Sequence, residues 1–323
     1  MPGKDGAAAP VAAAAWSVYL PGTRPAAEVA RWLGPLKGGW GEAESPPPEN
    51  AAAVLGRKGL LSREPATRLA LCAVHRALGL PPGRRPAPVP APRTAVVACG
   101  NLGNAATVSD VARTVAAEGG RGVSVLDAPN VSGNVLAGTV ALWFGFGGPN
   151  LMVCSGAAAG LDGLVLAARL LRAGRADKVV LVGAEPADED AAALHAAGRE
   201  RPLRAGAACL VLVPAGTAPP GGVLIEPRTG PEPTGPEPTG PEPTGPASAG
   251  PARGPRPDAV TVGPGGFDPA VHWGDAYGAG GVVSLALAAH LAADESVPAV
   301  EVRHEAPGSR SARVVPAAGE APS

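Results

Sequence analysis

The sequence predicts an α/β fold in which helices cover both faces of a largely buried sheet. Short β-branched runs at 94–99, 178–183 and 207–213 are continuously apolar, which is typical of strands covered on both faces. Amphipathic segments of helical period lie between them. Hydrophobic residues make up 46% of the 323 residues, which is enough for a large core. Aromatic residues are only 3% and Ile225 is the only isoleucine, so that core consists mainly of Ala, Val and Leu.

The individual elements follow from the spacing of apolar residues. A first helix has an apolar face formed by Thr67, Leu71, Val74 and Leu78, with Ser62 as its expected cap and Gly79 at its end. The uncharged stretch 130–161 is interrupted by glycine and proline at 145–149, so we expect a buried helix, a turn and a buried strand there, with no membrane span. Later elements are a strand at 259–262, a buried helix at about 277–293, and strands at 298–302 and 313–315.

Composition divides the chain into five parts. Residues 1–50 are rich in Ala, Pro and Gly, with one expected strand at 16–20, and residues 51–226 form the compact α/β unit. Residues 227–257 contain three Gly-Pro-Glu-Pro-Thr repeats that offer no hydrophobic position, so they predict a disordered, extended tether. Residues 258–316 form a shorter second structured part, and 317–323 are a tail.

Charge and cysteine content exclude several classes of function. The 27 basic and 28 acidic residues nearly cancel, which argues against nucleic acid or an anionic membrane as a partner. The four cysteines are scattered with no Cys-x-x-Cys pair, so neither a zinc site nor a disulfide framework is indicated. The glycines at 278–281 lack dinucleotide-binding spacing. We therefore expect no cofactor, no metal and a cytoplasmic location.

The most informative segment runs from Gly148 to Asp162, where a strand passes through small residues into a helix. Small residues allow two backbones to approach each other at a helix N-terminus, where free N–H groups and the helix dipole would activate a thiol. The alternative is that these residues only pack a buried turn.

Five segments in this order resemble the β-ketoacyl synthases of the thiolase-like superfamily. The segments are Gly-Arg-Lys-Gly-Leu at 56–60, Pro-Asn-Val-Ser-Gly-Asn at 129–134, Gly-Pro-Asn at 148–150, the strand at 176–185 and the strand at 206–212. The resemblance covers 54–214 and, more weakly, 258–293. It implies a thiolase-like layered fold (αβαβα) whose second half is shortened and interrupted by the Pro-rich tether.

The chain departs from this family at its reactive positions. Counted from Gly148, the position of the family's acyl-accepting cysteine is Ala157, and Asp275 stands at the second catalytic histidine. Ala270 stands at the position where the family has a lysine. The loop that carries the family's first catalytic histidine has only residues 262–266 as a counterpart in this chain. The resemblance therefore implies a subunit without condensation activity, of the chain-length-factor type. Its expected partners are an intact ketosynthase and, transiently, an acyl carrier protein.

Two other functions stay open. One is an acyl-transfer enzyme that uses Cys154 as nucleophile, with His195 or His272 brought close by the fold as base. His272 and Asp275 are three residues apart and form either a base–orienter pair or a solvated loop pair. The other function is that of a degenerate ketosynthase paralogue with a binding role or no activity.

Overall fold

The computed structural model describes residues 9–34, 44–229, 259–294, 297–304 and 310–317. Most of the predicted tether, from residue 230 to 257, lies outside the described residues, as do 318–323 of the predicted tail. The strand before the tether, Val223–Thr229, includes residues 227–229, which were assigned to the tether, so the predicted start of the tether at 227 is wrong.

Among the described residues, nine strands form one mixed sheet in the order β3-β2-β4-β5-β1-β6-β9-β8-β7. Strands β2, β3 and β4 are parallel to one another, as are β7 and β8, whereas β5, β1, β6 and β9 pair antiparallel with their neighbours. The strands are β1 Val11–Tyr19, β2 Thr94–Cys99, β3 Asn150–Val153, β4 Lys178–Glu185, β5 Gly206–Pro214, β6 Val223–Thr229, β7 Val260–Val262, β8 Val300–Arg303 and β9 Arg310–Pro316.

Helices cover both faces of this sheet and enclose two hydrophobic cores. Helices α6 and α9 close one core, and α3 and α5 close the other. The helices are α1 Pro25–Leu33, α2 Ala52–Leu55, α3 Pro65–Ala77, α4 Ala105–Glu118, α5 Val135–Phe144, α6 Ala159–Arg172, α7 Glu189–Ala196, α8 Pro269–Trp273 and α9 Gly280–Ala292. No helix among the described residues combines the length and apolarity needed to cross a bilayer.

The two structured parts of the chain approach each other closely where α6 meets α9. A Cβ placed on Gly160 would lie 2.5 Å from the backbone nitrogen of Val282 and 2.6 Å from Cα of Gly281. Only glycine therefore allows the two helix N-termini to come this close. This contact brings the residue preceding α6, Ala158, and the turn preceding α9 to the same end of the sheet.

The structure corrects several element boundaries. The N-terminal strand spans Val11–Tyr19 instead of 16–20, and helix α1 follows it. Helix α3 begins at Pro65 after Glu64, with no side-chain cap, so Ser62 is not its cap. Strand β3 was expected to be buried, but it is an edge strand in which Leu151 is exposed. A 3-10 turn, Tyr277–Ala279, precedes α9.

Candidate functional site

A cleft of about 510 Å³ opens at the N-terminus of α6. One wall is the turn that carries Ala157, and the opposite wall comes from α7 and from Tyr277 in the turn before α9. The lining residues are Leu102, Ser155, Gly156, Ala157, Ala158, Asp162, Leu194, His195, Gly198, Arg199, Tyr277 and Arg310. The cleft thus contains the junction that the sequence singled out.

The turn that carries Ala157 is fixed by its backbone. Gly156 has a φ of +65°, a conformation that glycine adopts without strain. The side chain of Asn101 donates from Nδ2 to the Gly156 carbonyl at 3.1 Å and accepts from the Gly156 N–H at 3.0 Å. Ala157 is half-buried and presents a methyl group to the cleft. A methyl group has no lone pair with which to form a thioester, so no acyl chain can be held covalently at this position.

Asp275 lies in a buried ion cluster instead of facing the cleft. Its carboxylate contacts His195 Nε2 at 3.1 Å, accepts from Arg199 Nε at 2.5 Å and accepts from the backbone N–H of Tyr277 at 2.8 Å. The side chains of His195 and Asp275 are 1% and 5% exposed. The predicted pairing of Asp275 with His272 is wrong, because the His272 ring stacks on Phe267 at a centroid distance of 4.4 Å.

The electrostatics of this cluster keep Asp275 charged. Burial alone would raise the pKa of this carboxyl, but the Tyr277 N–H, the Arg199 guanidinium and His195 outweigh burial and hold the pKa below its usual value. The Asp275 carboxylate is therefore an ionised partner that fixes Arg199 and His195 in the wall of the cleft. Both of its carboxylate oxygens are engaged in that structural role.

A second polar chain lies on the opposite wall. Ser155 Oγ donates to Asp162 Oδ2 at 2.5 Å, and Arg310 Nε lies 2.7 Å from Asp162 Oδ1. Asp162 lies in the first turn of α6, where a carboxylate interacts favourably with the helix N-terminus. The structure adds that Asp162 ties the last strand, β9, to the rim of the cleft through Arg310.

Cys154 is exposed at the end of β3 and is not among the residues that line the cleft. Partial burial of the Cys154 sulfur and the nearby Glu185 carboxylate both raise the pKa of this thiol. A nucleophilic cysteine requires the opposite shift, so its environment favours the unreactive thiol. Of the two candidate bases, His195 lines the cleft that Cys154 does not line, and the His272 ring stacks on Phe267.

The other expected positions of catalytic groups are brought together nearby. Ala270, Asp275 and the loop residues Gly263 and Pro264 line one small pocket behind the ion cluster. None of these four side chains is a histidine or a lysine. Within the described parts of the chain, no group of three or more His, Cys, Asp or Glu side chains is arranged to hold a metal ion.

Sequence reasoning missed Asn101, Arg199 and Glu185. The acidic stretch formed by Glu185, Asp188, Glu189 and Asp190 is typical of a solvated loop, but Glu185 is fully buried, and Asp188 caps α7 by accepting from the Ala191 N–H. The only available signal for Glu185 was its place at the end of an apolar strand. Asn101 and Arg199 lie in turns, and nothing in their neighbouring residues marks them.

Comparison with known structures shows a ketosynthase-type fold. The chain is similar to the ishigamide ketosynthase/chain length factor (20% identity, TM-score 0.62, covering 94% of this chain and 98% of that chain). It is also similar to AntDE:AntF, a type II PKS acyl-carrier protein in complex with its ketosynthase (13% identity, TM-score 0.64, coverage 94% and 98%). A ketosynthase of the bacillaene polyketide synthase from Bacillus amyloliquefaciens matches at 13% identity and a TM-score of 0.58 (coverage 96% and 74%).

The family assignment rests on the sequence itself. Residues 44–209, just over half of the chain, match the N-terminal domain of the β-ketoacyl synthases. The chain therefore belongs to the β-ketoacyl synthase family, and the predicted thiolase-like layered fold is confirmed. No curated protein matched the chain.

Proposed function

We propose that this chain is a non-catalytic ketosynthase-like subunit, of the chain-length-factor type, that pairs with an active ketosynthase in type II polyketide or fatty-chain biosynthesis. The observation that carries the proposal is the pair of altered positions at one end of the sheet. Ala157 presents a methyl group to the cleft, and the Asp275 carboxylate is bound to His195 and Arg199 in a buried ion cluster. Condensation needs a nucleophile that holds the acyl chain and donors that stabilise the developing enolate. Neither position supplies them.

A surface suited to a partner subunit lies beside the open edge of β3. Among the residues that the structure describes, strand β3 pairs with β2 on one side only, so its other side is an open sheet edge. Three exposed apolar side chains lie on this strand and on the segments next to it. They are Leu151 on β3 (37% exposed), Leu142 on α5, which contacts β3 (79%), and Val131 in the turn before α5 (40%). We call these three residues the β3 face. A hydrogen bond of 2.8 Å between Asn134 and Asn150 holds the segment before α5 against the strand.

The structural neighbours support a ketosynthase as the occupant of this face. One is a ketosynthase/chain length factor, and another is a ketosynthase in complex with an acyl-carrier protein. By analogy we propose an intact ketosynthase as the stable partner, an acyl carrier protein as a transient partner, and a cytoplasmic location. No nucleic acid and no membrane takes part in this proposal.

The test is coexpression with an intact type II ketosynthase, followed by sizing chromatography. We expect a stable one-to-one complex. Leu151→Lys places a charge on the β3 face and should weaken the complex at least about tenfold, or about 1.4 kcal/mol. Val271→Lys is the matched control, because Val271 is 59% exposed on α8, which packs against α9 and is separate from β3.

The alternatives predict different results. A chain that stays alone beside the ketosynthase contradicts the proposal and favours a degenerate paralogue. An acyl-transfer enzyme based on Cys154 would acylate itself without any partner. The raised pKa of that thiol argues against this alternative.

A further inference from the structure

The most unusual buried group outside the altered positions is the carboxylate of Glu185. This residue ends β4 and is 0% exposed. Its Oε1 accepts from the backbone N–H of Asn101 at 2.7 Å, and its Oε2 accepts from the N–H of Leu102 at 3.0 Å. A third backbone N–H, that of Gly278, also donates to this carboxylate.

These three amides belong to two turns that form the cleft, and a third turn is attached to them through Asn101. The turn after β2 contains Asn101 and Leu102, and the turn before α9 contains Gly278 next to Tyr277. The Asn101 side chain also forms hydrogen bonds with both the carbonyl and the N–H of Gly156, the residue before Ala157. One buried carboxylate thus fastens the backbone segments that carry Leu102, Ala157 and Tyr277, all of which line the cleft.

The packing around this carboxylate leaves no room for adjustment. A Cβ on Gly278 would lie 2.2 Å from Nδ2 of Asn101 and 2.8 Å from Oε1 of Glu185. A Cβ on Gly100 would lie 2.6 Å from the Ala184 carbonyl oxygen. The turns therefore approach the carboxylate as closely as backbone can, and a change in its hydrogen bonding must move them.

The charge on Glu185 is balanced by N–H groups. Burial raises its pKa to about 7, against the opposing effect of the amide hydrogen bonds. The Glu185 carboxylate also interacts electrostatically with two thiols, Cys99 at the end of β2 and Cys154 after β3. Together with burial, it raises the pKa of both. The charged side chains of the cleft are engaged with one another: Arg199 with Asp275, and Arg310 with Asp162.

We propose that Glu185 is the positioning residue of the cleft, and that proton uptake by its carboxylate near neutral pH loosens all three turns together. The ionised carboxylate accepts from every N–H group that points at it. The neutral acid carries a proton on one oxygen, which places an O–H donor among the N–H donors and weakens that oxygen as an acceptor, and this is unfavourable. The cleft is therefore more tightly ordered at pH 8 than at pH 6. This inference concerns the order of the cleft and does not depend on which partner or chain the protein binds.

Hydrogen exchange measured by mass spectrometry on the full chain at pH 6 and pH 8 tests the proposal. After correction for intrinsic rates, peptides that contain the amides of the three turns (Asn101 and Leu102, Gly156, and Gly278) should exchange about tenfold faster at pH 6. That ratio is the protonated fraction at pH 6 over that at pH 8 for a group with a pKa of about 7. In Glu185→Gln the exchange of these peptides should be fast at both pH values and equal.

Glu64→Gln is the matched control. Glu64 also has a pKa raised by burial, but its side chain bonds to the Thr107 hydroxyl and not to these turns, so the variant should keep the wild-type pattern. A purely structural role for Glu185 would change protection without any pH dependence. Equal protection at the two pH values in the wild type overturns the proposal, as does a pH dependence that survives in Glu185→Gln.

If Glu185→Gln does not fold, a pH series on the wild type decides the question. The three segments must then lose protection in one common titration with a midpoint near 7. Separate midpoints for the segments overturn the proposal. Failure of this test leaves complex formation with a ketosynthase unaffected, so the two proposals are judged separately.

Discussion

The positions of Ala157 and Asp275 lie at the same end of the sheet, but the protein treats them in opposite ways. Ala157 is half-buried, touches open space in the cleft and takes part in no side-chain interaction beyond packing. Asp275 is buried and bound by His195, Arg199 and the Tyr277 amide, and its own backbone bonds to Pro202 and Arg204. One position has lost a function and gained nothing, whereas the other has become part of the framework.

The two positions therefore differ in how easily the residue that the family carries there could be restored. Restoring a thiol at Ala157 alters one small side chain at an open site. Restoring a histidine at Asp275 removes the anion that pairs with Arg199 and contacts His195, and breaks the wall of the cleft. A histidine is therefore harder to accommodate at position 275 than a cysteine is at position 157.

The largest effect is expected for Asp275→Asn. The substitution leaves the Arg199 guanidinium facing a neutral amide in a mostly buried site, so the free energy of unfolding should fall by about 3 to 5 kcal/mol. Urea denaturation at pH 7 measures this. Asp177→Asn is the control, because the Arg93–Asp177 pair is 54% and 65% exposed and should contribute about 1 kcal/mol or less. Equal losses in the two variants would mean that Asp275 is not part of the framework.

A smaller loss is expected where α6 and α9 meet. Gly160→Ala forces a methyl group against backbone atoms of Gly281 and Val282, and should cost about 1 to 3 kcal/mol. Gly138→Ala in α5 has nothing within 4 Å and should instead stabilise the protein, by about 1 kcal/mol. Thermal unfolding of both variants checks the prediction. An unchanged Tm for Gly160→Ala would show that the two helix N-termini are less tightly joined than described here.

The pH dependence of stability distinguishes Asp275 from an ordinary surface acid. Its folded-state pKa lies below its unfolded value of about 3.9, so its contribution is present at neutral pH and is lost as the pH falls through the folded-state pKa. The difference in unfolding free energy between wild type and Asp275→Asn should therefore shrink in acid. Denaturation series from pH 7 to pH 3 measure it. A difference that stays constant across this range contradicts the assignment.

The smallest effect on stability is expected at Ala157. Ala157→Cys should change the free energy of unfolding by about 0.5 kcal/mol or less, because the side chain faces the cleft. In a Cys154→Ala background the new thiol lies at the start of α6 and should react with iodoacetamide faster than Cys154 does in the wild type. Condensation should still be absent, because no histidine stands at position 275 or in the loop 262–266 and no lysine stands at position 270. Efficient condensation by this variant alone would overturn the interpretation of the site.

The sequence predicted the strand–turn–helix junction at 148–172 because a continuous apolar run and a clear helical period meet there. It underestimated β1 because the run of alanines at 12–15 has low strand propensity, and only pairing with β5 and β6 makes these residues a strand. The altered positions Ala157 and Asp275 were visible because motifs surround both. The cluster around Asp275 was not, because His195 and Arg199 lie nearly 80 residues away in the chain. Glu185 was missed for the same reason, since its partners come from two distant turns.

The most direct test of the central claim is intact-mass spectrometry of the two subunits after incubation of the complex with an acyl thioester. The account predicts an acyl adduct on the ketosynthase and none on this chain, with Cys154→Ala behaving like the wild type. A stoichiometric acyl adduct on this chain that disappears in Cys154→Ala would contradict it, and would identify the subunit as an acyl-transfer enzyme.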